Sequence, residues 1–395
     1  MSIFNKPLDK INEADLQALI ENKVSEGKDI EYKLLLPGST DRDKKEFLAD
    51  ISSFANASGG DIIYGVKTKS GLPIDICGLN NLDNFDSEKL RLEGMIRTGI
   101  SPRIPGLSIE PIKLKNSNKV IIIIRIPKSW ISPHMVSYQI KDHERFFSRT
   151  SNGKYPLDVT EIKSAFLLTE TIAERIRDFR AERLSNIIAG ETPIPLLDNP
   201  KIVLHIIPFS AFQYDFNINM EQVYKNRLRF WPINAKNLSC RHNFDGFLTF
   251  ESLPNTDITG TYLQIFRKGI IEAVEAYLLR PRQDNLLIPD IIYEKEIING
   301  LKKYIPLLKE FNISTPIFIM LSLLGVKGYI MGTNSYSSHK EYKIDRDNLI
   351  LPEVIIENYD CSIPEVMKST FDIIWNAAGH YGSENYDDNG RWNRP

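Results

Sequence analysis

The sequence predicts an α+β protein of two domains joined by a long helix, and three observations carry that reading. A strand, a helix, a glycine turn and a second strand follow one another between Ile30 and Val66. Helical spacing of apolar residues then persists from Val159 to Ala189 without interruption. Beyond a proline-rich segment at residues 191–201, strand-like and helix-like runs are interspersed as far as Ala378.

The first predicted element is a helix over residues 12–22, with Asn12 as its cap and Leu16 and Ile20 on its apolar stripe. Ile30 to Leu36 reads as a strand ended by Pro37-Gly38. Strand alternation puts Glu31 and Lys33 on one face, for chemistry or solvent, and Ile30, Tyr32 and Leu34 on the other, facing core. Phe47, Leu48, Ile51, Phe54 and Ala55 recur at helical spacing over Lys44 to Ala57, and Gly59-Gly60 ends that helix. Asp61 to Val66 follows as a strand in which Gly65 marks a close backbone approach.

A short strand is predicted at Ile74 to Leu79 and a helix at Ser87 to Ile96. Leu107 to Leu114 and Lys119 to Pro127 form a hairpin through Asn116-Ser117-Asn118, the second strand central because it is apolar on both faces apart from Arg125. Met135 to Gln139 and Glu144 to Ser148 read as further strands. Asp158 and Glu161 form a capping-box start to the long helix, and Gly190 ends it. At 1.5 Å per residue this helix is about 45 Å long, which suits a bridge between domains.

Strands are expected in the second domain at Ile202 to Ile207, Phe247 to Glu251, Tyr262 to Arg267 and Leu349 to Ile356, the last an edge because of Pro352. Helices are expected at Gly269 to Leu279, Tyr293 to Glu310, Thr315 to Leu323 and Pro364 to Ala378. The expected domains are therefore 1–157, a bridging helix 158–190, a linker 191–201, a second α+β domain 202–380 and a polar, disordered tail 381–395.

Composition narrows the class of protein. The 395 residues are 42% hydrophobic and 25% charged, ordinary for a globular protein. Neither a membrane-spanning apolar run nor an apolar N-terminal signal is present, and the three cysteines are scattered, so a reducing cytoplasmic setting is expected. The net charge of -2 conceals an asymmetry: residues 91–154 carry +8, and the flanking parts carry -5 each. A local excess of that kind attracts polyanions. The sequence has no phosphate-loop motif, so no ATP site is seen, and its histidines show no metal-ligand spacing.

Three blocks carry a family resemblance. E-x-x-x-x-E-Y-K at residues 26–33, F-A-N-A-S-G-G-D-I-I-Y-G-V at 54–66 and F-F-S-R-T-S-N-G-K-Y-P-L at 146–157 resemble the Schlafen-type AlbA-like domain of bacterial proteins and animal Schlafens. The resemblance covers roughly residues 10 to 155. It implies an AlbA-like fold and nucleic-acid binding, and its Schlafen branch includes metal-dependent endoribonucleases acting on transfer RNA. By the resemblance, Glu26 and Glu31 are the metal-binding glutamates, for Mg²⁺ or Mn²⁺, which take oxygen ligands. The competing reading makes both of them solvated carboxylates, one paired with Lys28 or Lys33.

Nuclease members carry a further carboxylate after the G-V of the second strand, where this sequence has Lys67 and Thr68. Asp61 and Asp75 are the acids in range to replace it, with Asp61 taken as the third metal ligand. Lys33 is placed to neutralise a scissile phosphate, or else to pair with Glu31 or Glu26. The expected catalytic set is thus Glu26, Glu31 and Lys33.

Lys67, Arg97, Arg103, Arg125, Lys128, Arg145, Arg149 and Lys154 form the expected nucleic-acid surface, with Phe146, Phe147 and Tyr155 interleaved and Phe147 assigned to the core. Arg175, Arg177, Arg180 and Arg183 alternate with acids and read as a solvated, ion-paired helix face.

The leading reading is a nucleic-acid-binding protein, a divalent-metal-dependent endoribonuclease for transfer RNA or other structured RNA in bacterial stress or antiphage defence. The alternative is a non-catalytic DNA- or RNA-binding regulator that lacks the third acid. A third reading is an interaction or sensor protein whose second domain recognises a partner; a homo-oligomer fits any of them.

Overall fold

The computed structural model describes residue 6 and residues 8–80, 85–115, 119–137, 145–212, 216–281, 285–332, 342–387 and 389–394. The predicted turn at residues 116–118, the far end of the strand expected over Met135 to Gln139, Glu144 and the histidines at 143 and 339 lie outside them. The chain divides into two compact units, Met1–Thr171 and Ile172–Pro395, with the division falling inside the long helix.

The first unit begins with α1 (Glu13–Glu21), whose cap is the predicted one. Asn12 Oδ1 accepts from the Ala14 and Asp15 amides, and the Asp15 carboxylate accepts from the Asn12 amide. β1 (Ile30–Lys33), α2 (Asp41–Asn56) and β2 (Gly59–Tyr64) follow, then a hairpin of β3 (Val66–Lys69) and β4 (Leu72–Ile76). Next come α3 (Phe85–Gly99), β5 (Ile100–Ser101), β6 (Ser108–Lys113), β7 (Val120–Pro127), β8 (Met135–Val136), β9 (Arg145–Thr150), β10 (Gly153–Pro156) and α4 (Val159–Ile188).

The main sheet has the order β1-β2-β7-β6, with β1 and β2 parallel and the other pairs antiparallel. α1 covers one face, burying Leu16 and Leu19 against Ile30, Tyr32, Ile63, Ile121 and Ile123. α2 and α3 cover the other, placing Phe47, Leu48, Ile51, Leu92 and Ile96 against Ile62, Ile122 and Ile124. Central β7 therefore needs apolar residues on both sides, which explains its isoleucine run.

A second sheet, β10-β9-β8-β5, packs against α2. Lying between two layers, α2 is buried at every position from Phe47 to Ala55. Gly60 (φ +155) lies where a Cβ would strike the Asp29 carbonyl and the Phe54 ring.

Two expectations for this unit are corrected. Both faces of β1 are covered, so Glu31 and Lys33 look onto α2 rather than onto solvent. β2 also stops at Tyr64 instead of running on to Val66. Gly65 turns the chain at φ +96, where a Cβ would meet Ile121 and the Gly78 backbone, and β3 leaves the sheet.

The second unit comprises β11 (Lys201–Pro208), α5 (Met220–Lys225), β12 (Ser239–His242), β13 (Gly246–Phe250), β14 (Thr261–Phe266), β15 (Ile271–Glu275), β16 (Leu287–Ile288), α6 (Asp290–Glu310), β17 (Ile317–Leu324), β18 (Ile330–Met331), β19 (Asn348–Ile350), β20 (Val354–Ile356) and α7 (Ile363–Ala377). An eight-stranded antiparallel sheet runs β12-β13-β14-β15-β11-β17-β19, with β20 also on β17. α6 and α7 bury Tyr293, Ile297, Leu301, Phe371 and Trp375 against one face. Leu184 and Ile187, in the last turns of α4, pack on the other against Val203, Tyr262 and Val274.

Several expectations for this unit fail for identifiable reasons. Gly269 to Leu279 is not a helix but contains β15, and Thr315 to Leu323 is β17. Both strands are buried throughout, and a short apolar run buried on two faces has no period by which to tell strand from helix. Leu349 to Ile356 is two short strands, parted around Pro352. The arginine face of α4 is only partly solvated: Arg175 and Arg177 are exposed, Arg175 over the Phe212 ring, whereas Arg183 makes a two-pronged pair with buried Glu272 and Arg180 donates to the Leu351 carbonyl. Glu272 also receives Tyr262 Oη and contacts His205 Nε2 at 3.0 Å. Burial alone would raise its pKa, yet Arg183 and His205 hold it down to about 2.

The tail is the last correction, because it is anchored rather than loose. Buried Glu294 on α6 accepts from Tyr293 Oη, Trp375 Nε1, Ser383 Oγ, Asn385 Nδ2 and Trp392 Nε1. A polar composition suggested disorder, but these polar side chains meet a buried acceptor. Glu294→Ala strands all of these donors in the interior. We expect it to lower the stability of the second unit by roughly 3 kcal/mol, with earlier proteolysis after residue 380; denaturant unfolding followed by tryptophan fluorescence checks it.

Candidate nucleic-acid interface

The three sequence blocks meet at the C-terminal half of α2. Asn56, from the F-A-N-A-S-G-G block, accepts from the His134 amide at 2.6 Å and donates to the carbonyls of His134 and Phe147 at 2.9 and 2.8 Å. It thereby stitches the second sheet to α2. Phe54, two residues earlier, lies 3.6 Å beneath the Arg149 guanidinium. Arg149, from the third block, reaches Glu31 of the first with Nη2 to Oε2 at 2.5 Å.

From that contact the charges continue as a chain of ion pairs that ends at Glu46. Lys33 Nζ lies 2.9 Å from Glu31 Oε1 and 3.3 Å from Asp50 Oδ2. Lys154 Nζ lies 2.7 Å from Asp50 Oδ1 and 2.5 Å from Glu46. Each carboxylate oxygen of Glu31 and of Asp50 thus faces a cation. Burial would raise the pKa of Glu31, but Arg149 and Lys33 outweigh it and hold the group below its ordinary value. Burial also tends to lower the pKa of Lys33, and the acids Asp50 and Glu31 keep it well above the usual lysine value. Glu26 is raised, first by burial and then by the like charge of Glu31, while its Oε1 accepts from the Tyr32 amide at 3.3 Å.

The sequence missed Asp50, which is 2% exposed. The available signal was an acid in the middle of the apolar helix Phe47 to Ala55, where a charge needs a buried partner.

The structure divides the predicted site residues. Glu26, Glu31 and Lys33 do come together. Asp61 does not join them: it pairs with Ile30 across β1 and β2, on the opposite face from Glu31, and is fully buried under two hydrogen bonds from Arg125 at 2.8 and 2.7 Å. Asp75 stands across from Lys67 in the β3–β4 hairpin and accepts from Cys77 Sγ. Among the described residues no group of three His, Cys, Asp or Glu is placed to hold a metal ion. With Glu31 and Asp61 already engaged by cations, the expected ligand trio does not fit Mg²⁺ or Mn²⁺.

The basic set divides as well. Arg125, Arg149 and Lys154, expected on the nucleic-acid surface, are instead committed to Asp61, Glu31 and Asp50 in the interior. Lys67, Arg97, Arg103, Lys128 and Arg145 are exposed and make no ion pair among the described residues. Arg97 and Arg103 line one groove of about 280 Å³, floored by Ile96, Ile104 and Leu107 and rimmed by Leu90 and Glu93. Phe147 packs on the core as expected, Tyr155 donates to Glu161, and Phe146 meets Phe166 edge-on. His134 is buried, with Nδ1 2.7 Å from the Pro102 carbonyl.

Residues 26–158 match the family model described as Schlafen, AlbA_2. The N-terminal unit carries a Schlafen-type AlbA_2 domain. That match over residues 26–158 points to a nucleic-acid-binding domain. No curated protein matched the chain. Among solved structures, the crystal structure of the DIP2311 protein from Corynebacterium diphtheriae is 14% identical, covering 37% of this chain and 26% of that one, with a TM-score of 0.25. The solution structure of the N-terminal domain of a putative ATP-dependent DNA helicase RecG-related protein from Nitrosomonas europaea is 16% identical, covering 35% of this chain and 88% of that one, with a TM-score of 0.26. No helix among the described residues is long and apolar enough to cross a membrane.

The Arg149–Glu31 pair makes the AlbA_2 domain sensitive to acid in a defined direction. Because the folded Glu31 carboxyl lies below its unfolded value, the stabilisation is complete above about pH 4.3 and is lost as pH falls through the folded value. In Arg149→Met we expect the Glu31 carboxyl to titrate higher and this acid loss to shrink. Carboxyl-carbon NMR titration reads the first effect, and an unchanged Glu31 curve contradicts it.

Proposed function

We propose that this chain is a nucleic-acid-binding protein whose AlbA_2 domain grips the phosphate backbone with cations lying outside its interior ion-pair chain, and that this domain binds without cleaving. One observation carries the reading: of the site's acids, Glu31, Asp50 and Asp61 are already neutralised by Lys33, Arg149, Lys154 and Arg125, while Arg97, Arg103, Arg145, Lys128 and Lys67 face outward with no acid partner among the described residues. Cations of that kind neutralise phosphates and release counterions, which gives binding that weakens steeply with salt. The apolar floor of the Arg97–Arg103 groove adds a seat for a sugar or base edge.

A second reading, a divalent-metal-dependent endoribonuclease acting on transfer RNA or other structured RNA, is favoured by the proximity of Glu26 to Glu31, close enough for one charge to raise the other's pKa. For it to hold, an ion would have to displace Lys33 or Arg149 from Glu31.

One set of measurements separates the two. Binding of the full chain to labelled transfer RNA and to duplex DNA is followed against salt, beside Arg97→Ala/Arg103→Ala. We expect the double variant to bind about tenfold more weakly and with a salt slope shallower by about 1–2. Cleavage is then assayed with Mn²⁺ using wild type, Glu26→Ala and Glu31→Gln, with thermal unfolding to verify folding. Cleavage lost in both glutamate variants replaces our reading with the nuclease one; no binding at low salt removes both.

A further inference from the structure

We infer that the second unit carries its own contact for single-stranded nucleic acid, an aromatic and basic patch built from Tyr224, Arg227, His242, Phe244 and Arg267. The inference rests on the reading that the chain binds nucleic acid, but it uses residues that the AlbA_2 domain does not contain.

The patch forms where α5 lies over the edge of the large sheet. Val223 is fully buried and fastens the short helix, leaving its neighbour Tyr224 at the surface, 45% exposed. The Tyr224 ring lies 5.8 Å from that of His242 on edge strand β12, with 31° between the planes. Buried Phe247 touches both rings edge-on from below, 6.1 Å from Tyr224 and 5.0 Å from His242, and so fixes their attitude. The Arg227 guanidinium stands 4.6 Å over the Tyr224 ring and donates to the Tyr224 carbonyl at 3.3 Å. These contacts hold two flat rings and a guanidinium as one partly open surface.

Phe244 follows His242 by two residues. It caps the turn between β12 and β13, where its side chain is 94% exposed. Its backbone is nonetheless held in place, because Arg267 Nε donates to the Phe244 carbonyl at 3.1 Å and the Arg267 amide to that of Asp245 at 3.0 Å. A large apolar ring kept in water on a well-anchored turn forgoes roughly 1.5–3 kcal/mol of burial, which is reasonable where the ring meets a ligand. Leu228, 70% exposed, lies just beyond Arg227.

Charge selects the occupant. Arg227 and Arg267 make no ion pair among the described residues, whereas the nearby cations Lys225 and Arg229 are balanced by Glu221 and Glu310. An apolar protein partner would meet two unpaired guanidinium groups here, but a polyanion with exposed planar bases satisfies rings and cations together. Stacking is open to any base, so the patch takes unpaired strands without sequence preference, while a duplex hides its base faces.

The test is anisotropy of the full chain with fluorescein-labelled oligo(dT) and oligo(rU) of about 20 nucleotides and with a duplex of equal length, a span covering at least one stacking site. Tyr224→Ala/Phe244→Ser is expected to weaken single-strand binding about tenfold with little change for the duplex. Tyr224→Phe should bind as wild type, because the ring remains, and Arg227→Gln should weaken binding and flatten its salt dependence. Thermal unfolding of each variant verifies the fold. Single-strand binding unchanged in Tyr224→Ala/Phe244→Ser, yet reduced in Arg97→Ala/Arg103→Ala, overturns this inference and leaves the AlbA_2 reading standing; absence of any nucleic-acid binding by wild type overturns both.

Discussion

The N-terminal unit depends on one buried cation. The Arg149 side chain is 1% exposed, sandwiched between the face of Phe54 and the carboxylate of Glu31, and its Nε and Nη1 hydrogens find no acceptor among the described residues. An interior guanidinium with a single carboxylate is tolerable only while that carboxylate stays ionised and in place, because losing one partner of a buried pair strands the other at a cost of about 3–5 kcal/mol. The ring beneath it supplies part of the missing compensation. This contact fixes the distance between β1 in the main sheet and β9 in the second sheet. α2, buried between them, receives its position from both sides, and Asn56 secures its end.

The second unit reaches a comparable arrangement by another route. There Arg183 comes from the covering helix and Glu272 from the middle of the sheet, with His205 and Tyr262 completing the acceptor's shell. The guanidinium has two parallel bonds to one carboxylate, so the pair is better satisfied than Arg149 with Glu31. A polar anchor of this kind sets the register of a helix on a sheet more sharply than apolar contact, which permits sliding between similar packings.

How much of this could be read in the sequence follows from where the signals were local. The strand, helix, glycine turn and strand around α2 were legible because capping, apolar spacing and the glycine pair all act within a few residues. The coming together of Glu26, Glu31 and Lys33 was legible for the same reason. Asp61 was misassigned because Gly65, which interrupts the strand, was read only as a point of close approach; the true register places Asp61 opposite Arg125. The partners of Arg149 and Lys154 lie more than a hundred residues earlier, and no local pattern announces such pairings. β15 and β17 read as helices in the sequence because strands buried on both faces show no alternation, and Ala and Glu in β15 favour helix locally. In the tail, polar composition was taken for disorder because the buried acceptor, Glu294, lies far away in sequence.

The same pairings change the meaning of the charge asymmetry. The +8 of residues 91–154 suggests a broad positive surface, yet Arg125, Arg149 and Lys154 spend their charge on interior acids supplied by residues 1–90. The acidic excess of the first stretch and the basic excess of the next therefore partly cancel inside the fold. What reaches solvent is a smaller set, in which Arg97 and Arg103 share a groove while Lys67 and Lys128 are carried by other elements. Fewer cations are therefore left to neutralise a polyanion than the sequence total implies. Contacts from flat side chains then weigh more in the balance, since stacking is far less weakened by salt than phosphate pairing.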